Sequence, residues 1–85
     1  MIIFSSHFNK DFKKLPKKLQ DRVLDRLDIF EINEFAEILF NHKLTGKYEN
    51  CRSINVTGDY RVIYRKLDDT TYYLKRVGTH AQLYG

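Results

Sequence analysis

Arg52-Ser-Ile-Asn-Val-Thr-Gly-Asp-Tyr-Arg-Val-Ile-Tyr-Arg65 is the run on which the fold turns. β-Branched and aromatic residues alternate with polar ones on either side of Thr57-Gly58-Asp59, the pattern of two antiparallel strands joined by a tight turn. The alternation sets Arg61, Ile63 and Arg65 on one face of the second strand and Tyr60, Val62 and Tyr64 on the other. Strands are predicted over about residues 51–57, 60–66 and 71–77, with Asp68-Asp69 supplying the second turn. The last strand breaks at Gly78 and runs into a polar tail, predicted to be exposed, that carries His80 and Tyr84. If the strands pair as neighbours, a guanidinium, a carboxylate, an imidazole and a phenol meet on one sheet surface. Such groups suit a phosphate and a proton transfer.

Upstream, Ile2, Ile3 and Phe4 form a short β-prone run that can tie the N-terminus into the sheet. Ser5 and Ser6 offer an N-cap, and Phe8, Phe12 and Leu15 follow helical spacing. Pro16 disfavours a helical Leu15 yet suits the first turn of a new helix, so this pair reads as the corner of a helical hairpin. The second helix is predicted over about 17–32 with Leu19, Val23, Leu27 and Phe30 inward. Asp28, Glu31, Glu34 and Glu37 read as a solvated acidic stripe, and residues 41–47 as a polar connection. The sum is a two-layer α+β domain of order β-α-α-β-β-β. An N-terminal strand and a helical hairpin pack on one face of a small twisted antiparallel sheet, whose other face is free for function.

Composition narrows the class. The 85 residues suit one domain, residues 1–85, and 42% hydrophobic content is too high for a disordered chain. One cysteine permits no internal disulfide, and the apolar runs are far too short to span a bilayer, so a soluble protein of a reducing cytoplasm is expected. Three scattered histidines and one cysteine have no metal-ligand spacing, and there is no phosphate-cradling glycine loop, so neither metal nor cofactor is expected. The formal charge is +4. Residues 1–40 hold seven basic and seven acidic side chains, whereas residues 41–85 hold eight basic against four acidic. The surplus sits on the strand-bearing half and favours an anionic partner there.

His42-Lys-Leu-Thr-Gly46, the Gly58-Asp-Tyr-Arg-Val-Ile-Tyr64 run, Arg76-Val-Gly-Thr-His80 and the Leu83-Tyr84-Gly85 ending together resemble the RelE/ParE superfamily of bacterial toxins, and within it the YafQ-like ribonuclease branch. The resemblance spans essentially the whole chain. It implies a toxin of a type II toxin–antitoxin pair that enters the ribosomal A site and cleaves mRNA, held in check by a small acidic antitoxin. By position, His80 matches the catalytic histidine, Asp59 the motif carboxylate, Tyr84 the C-terminal aromatic residue and His42 the histidine opening the loop before the strands. Arg61 falls where related toxins bind phosphate. Asn55 stands where a second imidazole is expected, and Tyr60 where tryptophan is common.

Cleaving RNA without a metal takes a base for the 2′-hydroxyl, a cation for the crowded phosphorane and an acid for the departing 5′-oxygen. His80 fits the acid, with Asp59 or His42 acting as, or orienting, the base. Arg61 fits the cation, and Tyr84 fits a stacking or hydroxyl contact to RNA. Lys43, Lys47, Asn55, Tyr60, Arg65 and Arg76 are expected to contact RNA, the cations by salt-sensitive attraction to its backbone. The runner-up is a ParE-like protein that poisons DNA gyrase by binding alone. A third reading is a weakened toxin that chiefly binds its antitoxin.

Overall fold

The computed structural model describes residues 1–85. β1 is Ile2–Phe4, α1 Ser6–Lys13, α2 Lys17–Ile32, β2 His42–Lys43, β3 Arg52–Thr57, β4 Tyr60–Asp68, β5 Thr71–Thr79 and α3 His80–Tyr84, with single 3-10 turns at Glu37–Leu39 and Gly46–Tyr48. The elements form a five-stranded sheet of order β1-β5-β4-β3-β2 with the two long helices over one face.

The two-layer α+β arrangement is as the sequence implies, with three differences. The sheet is mixed: Ile2, Ile3 and Phe4 run parallel to Tyr72, Tyr73 and Leu74, while every other pair is antiparallel. The chain between β1 and β5, which holds the helical hairpin and β2–β4, supplies the long crossover that a parallel pair needs. Second, His42 and Lys43 leave the expected connection to pair with Ser53 and Arg52 as a short edge strand. Third, β5 does not break at Gly78 but continues to Thr79, and the tail is helical.

Local chemistry accounts for the helices. The Ser5 hydroxyl accepts the Phe8 amide at 2.9 Å and donates to the Lys75 carbonyl at 2.9 Å, so one side chain starts α1 and ties it to β5. Phe8, Val23, Leu27 and Phe30 then bury against Ile54, Val56, Val62, Tyr64, Leu74 and Val77 of the sheet. A bulge lies in the β4–β5 pairing, where Ile63 faces Arg76 and Tyr64 faces Leu74, leaving Lys75 as the extra residue. A smaller core of Tyr48, Cys51, Ile63 and Leu83 covers part of the opposite face. Ile63 is fully buried there, so the face away from the long helices is not uniformly open.

Glu34 is not part of a solvated stripe. Asn33 leaves the helix with extended backbone (φ −152°), and Glu34 turns inward to 8% exposure. Its carboxylate accepts Tyr64 Oη at 2.6 Å, Lys66 Nζ at 3.1 Å and Tyr72 Oη at 3.2 Å. Burial pushes its pKa up, but the hydrogen bonds from Tyr64, Lys66 and Tyr72 and the charge of Lys66 outweigh that and hold the carboxyl below its ordinary range. Burial and the same carboxylate drive Tyr64 far upward.

Candidate active site

Strand order places the predicted residues in a row across the face opposite the long helices. His42 on β2 is paired with Ser53, Asn55 on β3 with Arg61, and Arg61 on β4 with Gly78 of β5, from which α3 departs. His42, Ser53, Asn55 and Arg61, with Phe40, line one cavity of about 240 Å³. Arg61 lines it with a side chain only 27% exposed. Its Nε is buried and has no hydrogen-bond partner within the chain, and its one carboxylate neighbour, Asp59 Oδ1, lies 3.9 Å from Nη2. The Ser53 hydroxyl in the same wall is likewise buried and unpartnered. Buried polar atoms are seldom left unpaired, so both atoms are open to a hydrogen-bond partner from outside the chain, water or ligand.

The turn Gly58-Asp59 joins this cavity to α3. Gly58 takes φ +52°, the left-handed region that glycine enters without strain. Asp59 Oδ2 then accepts the His80 amide at 3.3 Å. Thr79 caps α3 reciprocally with Gln82, Thr79 Oγ1 accepting the Gln82 amide and Gln82 Oε1 the Thr79 amide. One turn of helix carries the imidazole of His80 onto the ring of Tyr84, with centroids 4.6 Å apart and planes 27° off parallel. Tyr84 rests edge-on against Tyr48 at 5.2 Å, and the Tyr48 hydroxyl donates to the Leu83 carbonyl at 2.8 Å. Burial raises the Tyr84 phenol, Tyr48 adds to this, and the positive charge of Arg61 opposes it, which ties α3 electrostatically to the cavity.

His42 is exposed, with Nδ1 at 3.0 Å from the Phe40 carbonyl. A carbonyl only accepts, so in the neutral ring Nδ1 carries the proton and Nε2 keeps its lone pair. The contact orients the ring with Nε2 away from the Phe40 carbonyl.

The structure gathers Asp59, Arg61, His80, Tyr84, His42 and Asn55 on this face and directs other predicted contacts elsewhere. Arg76 is the clearest departure: its Nε and Nη2 bond Asp11 at 2.7 and 3.1 Å, and the same carboxylate accepts the Val77 amide at 3.1 Å. This fork pushes the Arg76 pKa up and fastens α1 to the β5 edge, with the guanidinium committed within the fold. Tyr60 packs against the main core on the helix side, leaving the cavity to Arg61. Lys47 Nζ donates to the Leu83 carbonyl at 3.2 Å and so supports α3. Lys43 lines a different cleft with Glu49 and Arg52, while Arg65 is exposed on β4 opposite Tyr73.

Phe40, Ser53 and Tyr48 carry no catalytic signature, and sequence reading passed over them. The only available signal was for Phe40: an aromatic residue closing an apolar run, two residues before His42.

A mixed sheet with a helical hairpin on one face, and an under-paired arginine between two histidines on the other, defines a small basic α+β domain. The chain belongs to the YafQ family: the model described as bacterial toxin of type II toxin–antitoxin system, YafQ, matches residues 1–85. It is 32% identical over 88 residues to the mRNA interferase toxin YafQ of Escherichia coli strain K12, covering 99% of this chain and 95% of that protein. The crystal structure of YafQ from E. coli strain BL21(DE3) superposes with a TM-score of 0.80 at 30% identity, covering 100% and 98% of the two chains. YafQ in the E. coli DinJ–YafQ complex gives 0.76 at 32% identity with the same coverage. The YoeB–YefM complex from Staphylococcus aureus, 21% identical with a TM-score of 0.76 over 94% and 95%, shares the fold.

Proposed function

We propose that this toxin is an endoribonuclease that cuts mRNA on the ribosome by acid–base catalysis, and that a small acidic antitoxin occupies the same basic half to restrain it. Arg61 carries the reading: a guanidinium walled into a cavity, with one nitrogen unpaired and its nearest carboxylate too distant for a close ion pair, has its donors free for a phosphate. Its relatives support the class of substrate and partner, since one is named an mRNA interferase and another is crystallised with the antitoxin DinJ.

His42 Nε2 takes the 2′-hydroxyl proton, and the 2′-oxygen attacks the adjacent phosphorus. Arg61 bonds the non-bridging oxygens as their charge builds, and Asp59 holds the start of α3. The bond from phosphorus to the 5′-oxygen breaks as His80, steadied on Tyr84, supplies a proton to the leaving oxygen. The products are a 2′,3′-cyclic phosphate and a 5′-hydroxyl. Asn55 orients rather than transfers protons, because an amide does not titrate in water.

Induction in bacteria tests this. The expected result is arrested translation with transcripts cut inside codons and bearing 5′-hydroxyl ends, relieved by His80→Ala or Arg61→Ala in folded protein. Growth arrest that both variants preserve, or DNA damage preceding any loss of translation, overturns it.

A further inference from the structure

Phe40 sits in the left-handed region at φ 46°, ψ 46°, a conformation that an aromatic residue adopts only at a cost and that glycine or asparagine would take more cheaply. Burial does not repay it: the residue is 67% exposed, and the ring pairs with no other aromatic ring in the chain. The next residue is clamped hard. Asn41 Nδ2 donates to Tyr64 Oη at 2.7 Å and to the Glu34 carbonyl at 2.9 Å, and its Oδ1 accepts Arg52 Nε at 2.6 Å. The Phe40 carbonyl in turn fixes His42. An exposed ring, a clamped backbone and an imidazole therefore form one unit on the wall of the Arg61 cavity. Strain held by its surroundings and not repaid by packing points to a use in binding.

We propose that Phe40 is a base-stacking platform at the β2 end of the site, which grips the nucleotide beside the scissile phosphate and biases, without dictating, the base held there. The proposal rests on the ribonuclease reading above. Strand order puts Phe40 at one end of the row and the His80–Tyr84 stack at the other, with Arg61 between them. A phosphate on Arg61 then has an aromatic face on each side, for the nucleotides before and after the cut. Stacking tolerates any base but favours the larger purine faces.

The test is single-turnover cleavage on ribosomes programmed with a short mRNA whose A-site bases are varied. The variants are Phe40→Ala and Phe40→Trp, each checked for an unchanged unfolding midpoint. Phe40→Ala is expected to lower kcat/KM about tenfold or more, mainly through KM, and to flatten the base preference at the cut. Phe40→Trp is expected to retain both. A 2-aminopurine beside a 2′-O-methyl-blocked cut site should be quenched by wild type and by Phe40→Trp but not by Phe40→Ala. If wild type cleaves, Arg61→Ala does not, and Phe40→Ala matches wild type in rate and base preference, the platform is overturned while the ribonuclease reading stands. If Phe40→Ala loses only antitoxin binding, the ring serves a protein partner and the proposal falls. Absence of cleavage by wild type removes both.

Discussion

Two arginines on adjacent strands, Arg61 and Arg76, make the sharpest test of the site. Replacing each with methionine keeps the aliphatic stem and removes the guanidinium. Arg76 and Asp11 have side chains only 18% and 13% exposed. Such a pair lies between an exposed ion pair, worth under ~1 kcal/mol, and a buried one, whose rupture costs ~3–5 kcal/mol, so Arg76→Met should cost about 2–4 kcal/mol. For a domain of this size total stability is about 4–13 kcal/mol, and each kcal/mol moves the midpoint by about 4–8 °C, so a fall of roughly 8–32 °C is expected. Arg61 has no close partner to lose, and removing its unpaired buried Nε offsets what packing is lost. Arg61→Met should therefore stay within ~1 kcal/mol of wild type while cleavage falls by about 10²–10³, the loss seen when one donor to a developing oxyanion is deleted. Circular dichroism melts and single-turnover cleavage below both midpoints separate the two. An Arg76→Met variant that melts like wild type but cleaves no RNA would put that guanidinium on the substrate and refute the division.

The Glu34 carboxyl is held below its ordinary value of 4.5, so its contribution to stability is complete above about pH 4.5 and disappears as pH falls through the lowered value. Denaturation midpoints across the acid range should show that loss in wild type and a flatter profile in Glu34→Gln. Tyr84→Phe keeps the stack on His80 and should keep cleavage within a few-fold, whereas Tyr84→Ala should reduce it about tenfold or more while the fold remains. A Cβ at Gly78 would lie 2.8 Å from Gln82 Oε1, the atom that accepts the Thr79 amide, so Gly78→Ala should loosen the cap of α3 by about 1 kcal/mol and slow cleavage. Gln82→Ala should reproduce that slowing. Phe40→Gly removes left-handed strain of about 1–2 kcal/mol per residue and should melt no lower than wild type despite losing an aromatic ring.

What could be read from the sequence was what local pattern carries. The apolar spacing of Phe8, Val23, Leu27 and Phe30, the Pro16 corner and the alternation through Val62 and Tyr64 all lie within a few residues of one another, and each became the core it implies. The parallel pairing of Ile2 with Tyr72 spans seventy residues and leaves no local trace. Glu34 escaped because helical periodicity was extended past Asn33, where the backbone has already turned extended. Arg76 was misplaced because the carboxylate that engages its guanidinium, Asp11, lies on α1 sixty-five residues away, a pairing with no local trace. For the candidate site, residue type singled out His80, Asp59 and Arg61, since few side chains can move protons or hold phosphate. Ser53 and Phe40 matter through burial and backbone strain, which composition does not encode.

The two faces of the sheet differ in how completely their polar groups are paired. Beneath the helices, Glu34, Tyr64, Tyr72, Lys66, Asn41 and Arg52 form a connected network, and Asp11 takes three donors at the edge of β5. On the opposite face, Ser53 Oγ and Arg61 Nε are buried without partners, and Phe40 holds a strained backbone. A ligand that supplies acceptors to those atoms gains what the fold leaves unsatisfied there; the one other buried side-chain atom without a partner, Arg26 Nε on α2, does not line the cavity. Asn41 joins the two, since its amide belongs to the satisfied network while its neighbours Phe40 and His42 line the unsatisfied cavity. The rigidity of the network is thereby lent to the residues that line the cavity, so if RNA binds there, a conservative break such as Tyr64→Phe should slow single-turnover cleavage from beneath the sheet without touching RNA.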